Sequence, residues 1–167
     1  MSTILSPKET DLIITDKLYE KKVISSFQLM NNVNLRRIVV GGNCFSGFRS
    51  FELKGLRKLE SIVIGVCSFQ YNNLSGGERS DSCFRIVNCP KLKSLWIGDQ
   101  SFSDYHSFEL VNLHSLQSIE IGEYCFIPAS LSLTSLVGRL DSIYRSSSIA
   151  KSDTGLFSVS LLPSSGI

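Results

Sequence analysis

Residues 116–126 read LQSIEIGEYCF, and close variants recur at 35–45 (LRRIVVGGNCF), 59–69 (LESIVIGVCSF) and 92–102 (LKSLWIGDQSF). The leading leucines Leu35, Leu59, Leu92, Leu116 and Leu140 follow one another at intervals of 24, 33, 24 and 24. A period of this length belongs to a stack of coils, in which each unit buries its apolar face only against its neighbours. Fold, core and candidate surfaces all follow from aligning the copies.

Columns that stay apolar from copy to copy mark where adjacent coils touch. Besides the leucines these are Ile38, Ile62, Leu95, Ile119 and Ile143; Val40, Ile64, Ile97 and Ile121; and Phe45, Phe69, Phe102 and Phe126. The second and third columns alternate with variable residues at period 2, the signature of a strand with one buried face. One short strand per unit predicts a parallel sheet running along the array. The other half of each unit repeats too, as Phe27-x-Leu29, Phe51-x-Leu53, Phe84-x-Ile86 and Phe108-x-Leu110, which reads as either a short strand or an irregular extended turn. Cys89 falls in a mostly aliphatic column there and reads as a small buried hydrophobe.

The unit L-x-x-[L/I]-x-[V/I]-x-x-[N/C/Q/Y]-x-F resembles the leucine-rich repeat, with Phe in place of its last leucine. Its I-G-x-x-x-F strand end also resembles the bacterial-surface-antigen (BspA-like) repeats, although the alanine of that pattern is replaced by Cys44, Ser68, Ser101 and Cys125. The resemblance covers residues 27–143. It implies a leucine-rich-repeat-like solenoid with a curved parallel β-sheet, built from about five copies of the unit, mostly strand and loop with little helix. It also implies that Asn43 and Cys67 satisfy backbone groups left unpaired by the coil's turn, a role from which Gln100 and Tyr124 depart.

The organisation expected is a cap or degenerate repeat over residues 1–22, a solenoid over 23–145 and a Ser-rich degenerate cap or disordered tail over 146–167. At the start, Ser6-Pro7-Lys8-Glu9 has the form of a capping box before an apolar run. An N-terminal helix competes with a worn repeat, because Ile14 stands one regular period ahead of Ile38. The single long interval, between Leu59 and Leu92, places a Gly/Asn/Ser-rich insert at 70–82. In the fifth unit Leu131 and Leu133 stand one position away from their expected places.

Composition narrows the function. A net charge of +2 with 19% charged residues lacks the basic excess that neutralises phosphates, so nucleic acid is not the expected partner. Neither a signal sequence nor a run of about 20 apolar residues is evident, and five cysteines form an odd set, so a cytoplasmic or other intracellular location with reduced thiols is expected. Leu74-Ser75-Gly76-Gly77-Glu78 approaches the LSGGQ signature of ATP-binding-cassette proteins, but no Walker A sequence accompanies it and a surface loop is the expectation. His106 and His114 are the only histidines, at variable positions, and no C-x-x-C pair exists. No catalysis, metal or cofactor is expected.

There remains the outward face of the predicted sheet. Its two columns are Arg37, Ser61, Ser94, Ser118 and Ser142, and Val39, Val63, Trp96, Glu120 and Tyr144. In a curved solenoid these line the concave side, so Arg37, Val39, Val63, Trp96, Glu120 and Tyr144 are the candidate contacts for a protein partner, with Trp96 foremost. The competing reading is a fragment of a BspA-like surface or adhesive protein. The glycines Gly41, Gly65, Gly98 and Gly122 read as strand ends that bend or need positive φ, more than as a bare stripe for a partner's backbone.

Overall fold

The computed structural model describes residues 9–16, 26–32, 34–70, 82–126, 130–134, 142–145 and 157–160. Twelve short strands occur among them and no helix: β1 (Asp11–Ile14), β2 (Ser26–Met30), β3 (Arg37–Val40), β4 (Ser50–Lys54), β5 (Ser61–Ile64), β6 (Cys83–Val87), β7 (Ser94–Ile97), β8 (Ser107–Val111), β9 (Ser118–Ile121), β10 (Ser130–Thr134), β11 (Ser142–Arg145) and β12 (Phe157–Ser160). They alternate between two six-stranded parallel sheets. The first has the order β1-β3-β5-β7-β9-β11 and the second β12-β10-β8-β6-β4-β2. The chain is a repeat solenoid, and the Phe-x-Leu half of each unit, open between strand and turn from sequence, is a strand.

In-register pairing puts like residues on like residues. Ile62 lies between Ile38 and Leu95 in the first sheet, and Phe84 between Phe51 and Phe108 in the second. Both inner faces are buried in one continuous core. Within it the phenylalanines form two files: Phe27, Phe51, Phe84 and Phe108 stack with ring centroids 4.9–5.1 Å apart, and Phe45, Phe69, Phe102 and Phe126 with centroids 4.7–5.2 Å apart. The files meet edge to face, as at Phe84 and Phe102 (80°), so ring edges of one file address ring faces of the other.

The turn after the first sheet is unusual. Asn43, Cys67, Gln100 and Tyr124, and two positions later Phe45, Phe69, Phe102 and Phe126, all have left-handed backbones with φ between 51° and 58°. For a residue with a side chain this costs about 1–2 kcal/mol. Full burial of a phenylalanine returns about 1.5–3 kcal/mol, and stacking adds to it, so the aromatic files hold the strained turn in place.

Between each left-handed pair stands Cys44, Ser68, Ser101 or Cys125, and these residues stitch the coils together. Ser68 Oγ donates to Gly41 O and Ser101 Oγ to Gly65 O, both at 2.8 Å, while Cys44 Sγ donates to Thr15 O and Cys125 Sγ to Gly98 O, both at 3.2 Å. The two hydroxyl oxygens also accept from backbone: Cys44 N from 3.2 Å and Ser68 N from 3.1 Å. This corrects the role that the leucine-rich-repeat resemblance implied for Asn43 and Cys67. Their column supplies left-handed backbone, and the side-chain ladder runs one position later, where the oxygen and sulfur atoms point into the turn.

The glycines do stand directly after the strand ends, but not for the sake of positive φ. Gly41, Gly65, Gly98 and Gly122 are not among the residues with positive φ. Their N–H groups continue the parallel ladder to the preceding coil, as Gly65 N does to Val40 O at 2.7 Å. A Cβ at Gly65 would stand 2.5 Å from the Gly41 carbonyl carbon, and one at Gly98 would stand 2.8 Å from Val66 N. Close approach of one turn to the next excludes a side chain there.

Irregular spacing leaves the register intact. The long interval carries Ser50 to Cys83 and Ser61 to Ser94, a shorter one carries Ser107 to Ser130, and intermediate ones carry Asp11 to Arg37 and Leu131 to Phe157. All of these are paired residues on neighbouring strands. Leu131 and Leu133 therefore stand opposite Phe108 and Leu110 despite their shifted place in the sequence. Residues 11–14 are a strand of the first sheet, with Leu12 rather than Ile14 opposite Ile38. The capping-box residues Ser6, Pro7 and Lys8, most of the insert at 70–82 and most of 146–167 lie outside the described residues.

Candidate functional site

Each of β1, β3, β5, β7 and β9 leaves two outward positions, and parallel register lines these up into rows with their register partners on β11. One row is Asp11, Arg37, Ser61, Ser94, Ser118 and Ser142; the other is Ile13, Val39, Val63, Trp96, Glu120 and Tyr144. At about 4.8 Å per strand the second row is roughly 24 Å long. The predicted contacts Val39, Val63, Trp96, Glu120 and Tyr144 thus fall in a single row. Arg37 belongs to its neighbour, where Arg37 Nε pairs with Asp11 Oδ1 at 3.1 Å.

Ile13 is a member of the row that the alignment missed. An even period sets Ile14 against Ile38, whereas the actual register brings Ile13 beside Val39, and at 59% it is among the most exposed large apolar residues. Its signal was the D-L-I-I alternation itself, which marks Ile13 as outward whatever the register. Trp96 is 39% exposed, flanked by half-buried Val63 and exposed Glu120. The small serines of the adjoining row leave the indole standing above its surroundings. The row therefore offers aliphatic, aromatic and carboxylate groups, with β3, β5, β7 and β9 each paired to a neighbour on both sides.

No family model, curated protein or solved structure matches the chain.

Other chemistry-bearing groups are tied into the fold. Ser82 lies 3.2 Å from His106 Nδ1, which could suggest a nucleophile and its base. The Ser82 hydroxyl, however, donates to Asp104 O at 3.0 Å and its oxygen accepts from His106 N at 3.1 Å, so it serves as a buried turn lock. His114 lies on the opposite side of the same unit, at a corner of the second sheet. No cluster of three His, Cys, Asp or Glu able to hold a metal occurs among the described residues. All five cysteines are free thiols, and Cys89 is wholly buried in its aliphatic column. Burial pushes the Cys89 thiol up to about 11 and the Cys125 thiol up to about 12, so both stay protonated at neutral pH. Burial raises Cys83 too, reinforced by the Glu52 carboxylate. The LSGGE segment lies outside the described residues, and no described helix is long and apolar enough to cross a membrane.

Proposed function

We propose that the chain is a protein-interaction module that binds its partner along the Ile13 to Tyr144 row of the first sheet. The carrying observation is that an exposed tryptophan stands in register with Ile13, Val39 and Val63, on strands whose other faces are wholly committed to the core. Nothing in the packing requires a large apolar side chain at 96, where a serine or threonine would satisfy a strand facing water. Tryptophan and tyrosine concentrate binding energy because they bury a large rigid surface at little entropic cost. Glu120 between Trp96 and Tyr144 would add charge selectivity at the rim. The reading requires neither cofactor nor metal.

The test is affinity capture with the intact chain beside a Trp96→Asp, Tyr144→Asp double variant and an Arg85→Ala control on the opposite sheet, all matched by circular dichroism. The expected result is a protein retained by the intact chain and the control and lost with the double variant. Equal retention by all three would remove the row as the binding surface.

A further inference from the structure

The corner that ends the second sheet carries a polar notch. After β2, β4, β6 and β8 the chain turns through Asn31, Gly55, Asn88 and Asn112, all left-handed with φ of 56°, 69°, 56° and 56°. Each of the first three donates its backbone N–H to the next coil, to Lys54 O, Val87 O and Val111 O, at 3.0 Å. Asparagine tolerates this backbone better than most residues, and its carboxamide is left free to pair along the array. Asn112 Nδ2 donates to Asn88 Oδ1 at 2.7 Å.

Gly55 breaks that carboxamide ladder. An asparagine there would accept from Asn88 and donate to Asn31; glycine does neither. Asn31 Oδ1 lies only 2.7 Å from where a Cβ on Gly55 would stand, so an acceptor already faces the break. Asn31 and Asn88 are two strand spacings apart, about 10 Å. A cavity of about 550 Å³ lies over the gap, and its lining adds Lys54, Arg57 and His114 without a single carboxylate. The size is within the range of small-ligand sites.

Among the described residues several cations elsewhere are ion-paired, although Lys58, bonded to Asn34 Oδ1, is not. Arg36, Arg37, Arg85 and Lys93 each pair with Asp or Glu at 2.7–3.6 Å. Lys54 and Arg57 have no carboxylate partner among the described residues. The notch thus presents two uncompensated cations and the Asn88 amide as donors, with the Asn31 carbonyl as an acceptor. All four residues are exposed. A ligand that carries an anionic group beside a hydroxyl could engage them together, whereas an anion alone would leave Asn31 Oδ1 to water and a neutral polyol would leave the cations to water.

We propose that this notch binds an acidic sugar residue, its carboxylate between Lys54 and Arg57 and a ring hydroxyl on Asn31. The site is on a different sheet from the Trp96 row and stands independently of it. The experiment is calorimetric titration of the full chain with trigalacturonate, with maltotriose as the uncharged analogue and inorganic sulfate as the anion without hydroxyls, at fixed ionic strength. Saturable binding is expected for trigalacturonate alone, weakened about tenfold by Lys54→Ala and by Arg57→Ala. Gly55→Asn is the decisive variant: it restores the residue found at the other three corners, keeps the circular dichroism spectrum of the parent, and abolishes binding. Failure of trigalacturonate to bind, sulfate or maltotriose binding as tightly, or a folded Gly55→Asn chain that binds unchanged would each overturn the proposal.

Discussion

The two sheets are built alike on the inside and differently on the outside. Inward, the first carries aliphatic columns and the second the Phe-x-Leu pairs, and both are sealed in the same core. Outward, the central row of the second sheet is Gln28, Glu52, Arg85 and Glu109, with Arg85 Nε bonded to Glu109 Oε2 at 2.7 Å, whereas the first sheet shows Ile13, Val39, Val63 and Trp96. Stacking constrains the inner faces of both sheets equally but leaves the outer faces free. One has a charged central row of the kind kept in water, and the other carries, beside a row of Asp11, Arg37 and serines, a row that is apolar from Ile13 to Trp96. That contrast, more than the exposure of any single residue, is what supports the proposed interaction row on the first sheet.

If the inner faces are equivalent, cutting into either should be costly. Phe84→Ala in the second sheet is expected to lower stability by about 3–5 kcal/mol and Ile62→Ala in the first by about 2–5 kcal/mol, measured by urea unfolding. A value near zero for one of them would mean that its sheet is not part of the shared core. Next in size comes the stitching at the end of the first sheet. Ser68→Ala leaves Gly41 O and Cys44 N without the serine oxygen, and is expected to cost about 1–3 kcal/mol. The smallest effects belong to the outer faces. Arg85→Ala breaks an exposed ion pair worth at most about 1 kcal/mol. Trp96→Ser should change stability by no more than about 0.5 kcal/mol. A large loss at Trp96 would make it a structural residue rather than the proposed binding one and erase the difference between the faces.

Much of this was legible in the sequence, and the parts that were not share a cause. Period-2 alternation named the inward and outward residues of β3, β5, β7 and β9 correctly, because that alternation is enforced by the pleat. The register of β1, β10 and β12 was not legible, because turns of different length can deliver a strand to the same slot; only lateral pairing decides. The ladder of Cys44, Ser68, Ser101 and Cys125 was visible as a column but credited to its neighbour, since a sequence does not show which residues of a turn are left-handed. The glycine column was read as strand ends that bend or need positive φ; the strand ends are there, but what demands glycine is clearance between successive turns. Likewise the row gained Ile13 only once Leu12 was seen opposite Ile38. The gap at Gly55 acquires meaning only when Asn31 and Asn88 are seen on either side of it.

The long interval between the second and third repeats leaves both adjoining strand pairs in register. Its edges are fastened, with Gly47 N donating to Gln70 O at 2.9 Å and His106 N to Ser82 O at 3.1 Å. Chain length at this corner is therefore uncoupled from the stacking on either side. For engineering, that makes it a natural splice point, where an epitope, a reporter or a second recognition peptide could be grafted without redesigning the scaffold.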